Sequence, residues 1–299
     1  MSSILDKSTL VKRASYLRIA ASELAEGMKT GNFRSLYRGQ GIEFSGVRDY
    51  IRGDDIRTID WNVTARMGKP YVKIFEEERE LQIFLVVDSS LSMHLGTNNR
   101  TKYDVAAESA ALITIASEMN GCPVGAVFFD GAIHFSCEPK FGQQQTMLLL
   151  NHLDNIPENP VTGSIIGNAL TGAGKLLKKR SLIFVISDFR SANWEKPIIS
   201  LAHKHDVIAM RIQGKYNEVL PSVGTARFMD IETGKKLLIP TGSSEFKNDW
   251  KAYNESSVNM WKEISIKHGI TPVIVNTTDD PLQVLTSVFA RKKAGKQER

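Results

Sequence analysis

The chain has only two cysteines in 299 residues, Cys122 and Cys137, and they are not spaced as a CxxC pair. That excludes a disulfide framework and a cysteine-ligated zinc ribbon, and it points to a reducing compartment, the cytoplasm. No apolar run approaches the roughly 20 residues that a membrane-spanning helix needs, so membrane insertion is not expected. The opening MSSILDKSTLVKR lacks an apolar core of signal-peptide length. Net charge is also scarcer than a pI near 9.1 suggests. Between Arg291 and Arg299 there are five Lys or Arg and one Glu, so the tail supplies +4 of the formal +5. A short basic tail on a nearly neutral body reads as a solvated end, and nucleic acid is not an expected partner.

Catalytic signatures are missing too. There is no G-x-S-x-G elbow, so Ser-His-Asp hydrolysis lacks its usual turn. Gly174-Lys175 has Ala169 where a phosphate-binding loop places its first glycine and Leu176 where it places Ser or Thr. A phosphoaspartate hydrolase wants a second Asp two residues after the nucleophile, and Ser90 stands there instead. His94 is a lone histidine near Ser92, and the two thiols read as core. No general base stands out.

What is present is a hydrophobic fraction of 42% with 24% charged residues, the balance of a globular chain with a proper core. Its centre is LQIFLVVDSSLSM, Leu81 to Met93. The near-continuous apolar run predicts a strand buried on both faces of a parallel sheet. It stops at Asp88, and hydroxyls follow at Ser90 and Ser92. Ligands of open α/β sheets sit just past the carboxyl ends of such strands. A carboxylate with hydroxyls two and four residues on can curl oxygens around one small hard cation, magnesium or manganese. A second apolar strand, Leu182 to Ser187, ends in Asp188. Between the two, Pro160-Val161-Thr162-Gly163-Ser164 is a hydroxyl-bearing loop that opens a helix. If the two strands are neighbours, Asp88, Ser90, Ser92, Ser164 (or Thr162) and Asp188 meet at one crevice. That set is all oxygen, with no His or Cys to favour zinc.

Around this centre, apolar spacing predicts a helix over Thr9–Lys29, and further helices over Tyr103–Met119, Gln143–Leu153, Ser164–Leu177, Trp194–His203, Ser244–His268 and Pro281–Arg291. Strands are expected over 207–212 and 270–275. Asp130-Gly131 marks one hairpin and Glu232-Thr233-Gly234 another. Strands alternating with helices imply a doubly wound, mainly parallel α/β sheet. The organisation expected is an N-terminal helix and charged segment over 1–78, the α/β domain over 79–291 with a hairpin insertion at about 218–240, and a basic tail over 292–299. In the charged segment, Arg48, Arg57 and Arg66 are placed to pair with Asp54, Asp55 and Asp60, with Gly53 in a turn and Trp61 as apolar anchor; the segment reads either as such an ion-paired scaffold or as a preformed surface for a partner. Tyr71 to Glu78 reads as an edge strand entering the main sheet.

The motifs are also those of known families. D-S-S-L-S at Asp88 resembles the D-x-S-x-S of the metal-ion-dependent adhesion site in von Willebrand factor A-type domains. V-I-S-D-F resembles that family's later aspartate loop. G-S-I-I-G-N-A-L, Gly163 to Leu170, looks like its threonine loop, with Ser164 where threonine is usual. R-D-Y-I-R-G-D-D-I-R-T-I-D-W-N-V-T-A-R closely resembles the signature of the bacterial domain of unknown function 58 family, over a match running from about Tyr37 to the final helix. The resemblance implies a von Willebrand A-like fold, a magnesium site on the five named residues, and a link to MoxR-type AAA+ ATPases. The expected function is non-enzymatic, magnesium-dependent capture of a carboxylate on a protein partner. The alternative is a divergent metal-dependent phosphatase or esterase using the same crevice.

Overall fold

Val86 and Val87 are adjacent in the chain and bury themselves on opposite sides of one sheet. The computed structural model describes residues 41–78, 81–97, 100–155, 161, 163–214, 224–229 and 236–290. In order these form β1 (Gly41–Asp49), α1 (Trp61–Met67), β2 (Tyr71–Glu78), β3 (Gln82–Asp88), β4 (Gly96–Thr97), β5 (Arg100–Thr101), α2 (Lys102–Met119), β6 (Val124–Phe129), β7 (Ile133–Lys140), α3 (Gln143–Asp154), α4 (Ile166–Leu176), β8 (Ser181–Ser187), α5 (Glu195–Ala202), β9 (Asp206–Gln213), β10 (Thr225–Met229), β11 (Lys236–Pro240), α6 (Ser244–Lys267), β12 (Thr271–Asn276) and α7 (Pro281–Ala290). The predicted helix over Thr9–Lys29, the Glu232-Thr233-Gly234 turn and the basic tail lie outside the described residues.

Six strands make the central sheet in the order β12-β9-β8-β3-β6-β7. Every pairing is parallel except β6 with β7, the hairpin closed at Asp130-Gly131. Because side chains alternate along a strand, β3 feeds two cores at once. Ile83, Leu85 and Val87 pack with α2, α3 and α7, while Phe84 and Val86 pack with α4, α5 and Trp261 of α6. Each large apolar side chain buried this fully contributes roughly 1.5–3 kcal/mol. The result is the doubly wound α/β architecture expected, consistent with a von Willebrand A-like fold. The inserted hairpin is present as β10 and β11, paired antiparallel.

The charged segment departs from expectation in three ways. β2 does not enter the central sheet. It pairs antiparallel with β1, from Gly41 opposite Glu78 to Asp49 opposite Tyr71, as a separate two-stranded ribbon. A partner supplied by the preceding strand closes a shorter loop than the distant sheet edge would. Trp61 is not an anchor, for it is 66% exposed. Of the three expected ion pairs, Arg48 does fork onto Asp54 at 2.6 and 2.7 Å and holds that carboxyl at about 2, well below its ordinary range. Asp55 and Asp60 instead accept backbone N–H groups. Asp55 caps the short turn Ile56–Thr58, and Asp60 caps α1 through the amides of Asn62 and Val63. Capping carboxylates are geometrically committed to amides, which leaves Arg57 and Arg66 to other surroundings.

Replacing a capping Asp by Ala costs about 1 kcal/mol, well short of the loss expected on breaking a buried ion pair. Asp60→Ala should therefore speed amide hydrogen exchange over residues 61–67 while leaving the melting of the six-stranded domain unchanged. A large drop in that melting temperature would show that the segment is a support of the whole fold.

Candidate cation site where the strand order reverses

The chain leaves β3 through α2 to reach β6 on one side, and it later returns to β8 on the other. Loops after β3 and β8 therefore diverge at Asp88, the kind of place where open α/β sheets bind their ligands. Asp88 is 1% exposed. One of its oxygens accepts the Ser90 amide at 2.9 Å, and the other accepts the Ser187 hydroxyl at 2.6 Å and the Ser164 hydroxyl at 3.5 Å. The Ser90 and Ser92 hydroxyls lie 3.2 Å apart. Ser164 is brought in by Asp130, whose carbonyl accepts the Ile165 amide at 3.0 Å and whose side chain accepts the Val161 amide at 3.1 Å. Asp130 thus does more than turn a hairpin. Thr162, the rival for the third loop, lies outside the described residues.

Asp188 is close by but otherwise engaged. The Lys102 ammonium, 2% exposed, meets its Oδ2 at 2.5 Å, and the Arg190 amide donates to its Oδ1 at 3.2 Å. The two carboxyls respond in opposite directions. Burial, then the negative charge of Asp188, pushes Asp88 up to about 6 against the hydrogen bonds from Ser187 and Ser90. Burial works to raise Asp188 as well, but Lys102 and Arg190 hold it below its ordinary range. Lys102 was missed by sequence reasoning, although a signal exists. It is the first residue of α2, inside the Thr101–Asp104 capping box, and a cation at a helix N-terminus opposes the helix dipole. Arg211 was missed too. It sits beside Ser187 in register on β9, between the buried Met210 and Ile212, and donates to the carbonyl and hydroxyl of Ser257 at 3.2 and 3.1 Å.

The donor set fits a small hard cation. Asp88, Ser90, Ser92 and Ser164 offer only oxygen, and Asp188 stands behind them with its charge balanced by Lys102. Among the described residues no group of three or more His, Cys, Asp or Glu gathers, so a cation here would rely on hydroxyls and water.

A different pair tests the hydrolase alternative. Ser89 Oγ lies 2.9 Å from His134 Nε2 and 2.9 Å from the Phe129 carbonyl. The carbonyl can only accept, so the single hydroxyl hydrogen goes there and His134 serves as donor. A nucleophile needs its proton taken by the histidine and needs access to substrate, and Ser89 is 1% exposed. His94 is likewise structural, placing Nε2 3.2 Å from the Ser89 carbonyl and its ring 5.2 Å from that of Tyr103.

Two outcomes follow for the carboxyls. A raised folded-state pKa means that the folded protein binds the Asp88 proton more tightly than the unfolded chain, so this group destabilises the metal-free protein progressively between pH 3.8 and about 6 and fully above. In EDTA, Asp88→Asn should melt above wild type at pH 8, with the gain shrinking toward pH 4 in differential scanning fluorimetry. An Asn variant that melts lower throughout would make Asp88 a plain structural residue. Lys102→Met strands a buried Asp188, and breaking such a pair costs roughly 3–5 kcal/mol. Its melting temperature in EDTA should fall sharply, and magnesium should restore more of it than it adds to wild type.

Comparisons with known proteins place the chain. The model of the family described as "Protein of unknown function DUF58" matches residues 46–259. Uncharacterised proteins of Mycobacterium tuberculosis and Mycobacterium bovis are each 31% identical over 233 residues, spanning 77% of this chain and 73% of theirs. Among solved structures, the conserved hypothetical protein BatB from Bacteroides thetaiotaomicron aligns over 71% of this chain and 100% of its own at 17% identity, TM-score 0.45. An aerotolerance-related membrane protein from Bacteroides fragilis aligns over 71% and 98% at 15% identity, TM-score 0.46. With the signature Arg48–Arg66 inside the matched region, this chain belongs to the DUF58 family.

Proposed function

We propose that this protein is a non-enzymatic, magnesium-dependent binding module whose Asp88 crevice captures a carboxylate of a protein partner. The observation that carries the reading is the charge balance of the crevice. Two buried carboxylates share this place, and Lys102 with Arg190 compensates Asp188, which leaves the Asp88 carboxylate without a cation of its own. Magnesium or manganese, held by Asp88, Ser90 and Ser92 with Ser164 beside them, would supply one exchangeable position for an oxygen ligand. The chain's own groups do the rest. Ser187 and the Ser90 amide orient the Asp88 carboxylate, and Asp130 fixes the loop that carries Ser164. Lys102 cancels the second carboxylate, so the loaded crevice is net positive and attracts an incoming Glu or Asp. Hydrolysis at the same place needs a positioned base, and the Ser89–His134 arrangement does not supply one.

The family resemblance suggests that the partner is a MoxR-type AAA+ ATPase, with this chain an adaptor in protein-complex assembly or stress response. No described helix is long and apolar enough to cross a membrane.

Affinity capture of the full chain from its host, read by mass spectrometry, should recover an AAA+ ATPase in magnesium, lose it in EDTA and regain it when magnesium returns. Asp88→Ala and Ser90→Ala should both fold and both fail to capture. Capture that survives EDTA unchanged would place the contact elsewhere.

A further inference from the structure

The loop that follows Asp188 does not end at the crevice. It runs through Phe189 to Trp194 into α5 and forms one wall of a cleft of about 910 Å³, with α4 and the outer face of α6 as the others. Two of its residues adopt left-handed backbone without being glycine, Phe189 at φ 52° and Asn193 at φ 66°. Asparagine tolerates that region, but phenylalanine does so only when its surroundings enforce it. Here the Phe189 ring is wedged against Trp194 and Trp261, with centroids 5.5 and 5.6 Å away, and its amide donates to Ser187. The loop is pressed just as tightly onto α4. A Cβ at Gly167 would lie 2.5 Å from the Asn193 carbonyl oxygen.

The strained loop presents Arg190 in a fixed pose. Its guanidinium donates to Asn254 at 3.0 Å and lies 5.9 Å from the centre of the Trp250 ring. Arg190 and Lys196 against Glu195 leave the cleft's lining net positive. The Ser191 hydroxyl and the Trp250 indole N–H are shielded from solvent and have no hydrogen-bond partner among the described residues. Tyr253, 69% exposed, and Met260, 47% exposed, line the same cleft and offer apolar surface. The Arg190 amide bonded to Asp188 ties this cleft directly to the crevice.

We infer that the cleft is a second anchor for the partner, taking a short acidic peptide segment with one carboxylate on the Arg190 guanidinium and an apolar side chain against Tyr253 and Met260. The inference rests on the partner-binding reading in one respect, that crevice and cleft hold the same chain.

Random 12-residue peptides displayed on a library and selected on the full-length, magnesium-loaded protein provide the test, with winners measured by fluorescence anisotropy. Enriched peptides should carry Asp or Glu beside an aromatic or aliphatic residue. Their affinity should fall tenfold or more for Arg190→Ala, recover in part for Arg190→Lys, and fall again for Tyr253→Ala, while all three variants melt like wild type. EDTA or Asp88→Asn should weaken the same peptides without erasing the Arg190 dependence. Peptides that need Asp88 but ignore Arg190→Ala overturn the cleft and leave the crevice reading standing. Peptides that need Arg190 but ignore both EDTA and Asp88→Asn overturn the shared anchor, because cleft and crevice then hold separate ligands, and they leave the crevice reading to its own test. Enriched peptides without carboxylates, or no enrichment at all, overturn the acidic assignment.

Discussion

A carboxylate sealed beneath a protein surface stays ionised only if something nearby compensates for lost water, and of the three that this chain seals, Asp88, Asp130 and Asp188, two repel each other across β3 and β8. The Lys102–Asp188 pair resolves half of that conflict. It places a positive charge from the first turn of α2 under the loop of β8, so the helix N-terminus and the strand end are held by one contact. Asp88 is left to hydroxyls and an amide, whose hydrogen bonds only partly offset burial and the charge of Asp188, so its carboxyl holds a proton or a cation more readily than an exposed one. Pairs of this kind seldom add net stability over a hydrophobic substitute, so their presence argues for a requirement other than stability.

The crevice owes its shape to contacts that are individually ordinary. Asp130 turns the β6–β7 hairpin and reaches across to the loop before α4. Ser187 caps the backbone at Phe189 while its hydroxyl proton goes to Asp88. Each side chain serves two elements at once, which makes the three loops one rigid assembly and not three independent ones.

Much of this was legible beforehand. The apolar runs ending at Asp88 and Asp188 marked both strands, because a strand buried on both faces has little else it can be, whereas their direct pairing was a condition that only the structure supplies. Ser90, Ser92 and Ser164 were legible from spacing and resemblance together. Lys102 was not, since a lysine in a helix reads as solvated unless its place in the first turn is weighed against the dipole. Arg211 was hidden in the same way, inside an apolar strand where only burial reveals that it needs a partner. The ribbon of β1 and β2 was misassigned because alternation reports that a segment is a strand and says nothing about which neighbour it chooses. Trp61 failed as an anchor for a similar reason, since size predicts burial only where there is a core to enter.

The contacts that build the crevice join residues far apart in the chain. Ser187 and Asp88 are separated by 99 positions, Lys102 and Asp188 by 86, and Ser164 and Asp88 by 76. None can form until a long segment has closed on itself, and closure of that kind slows folding while the contacts that reward it are still absent. No fragment ending before β8 can carry the site, and a ribosome must deliver nearly two thirds of the polypeptide before the crevice exists. A partner that recognised this place would therefore also inspect it, because only a chain in which β8 has docked beside β3 would present anything to recognise.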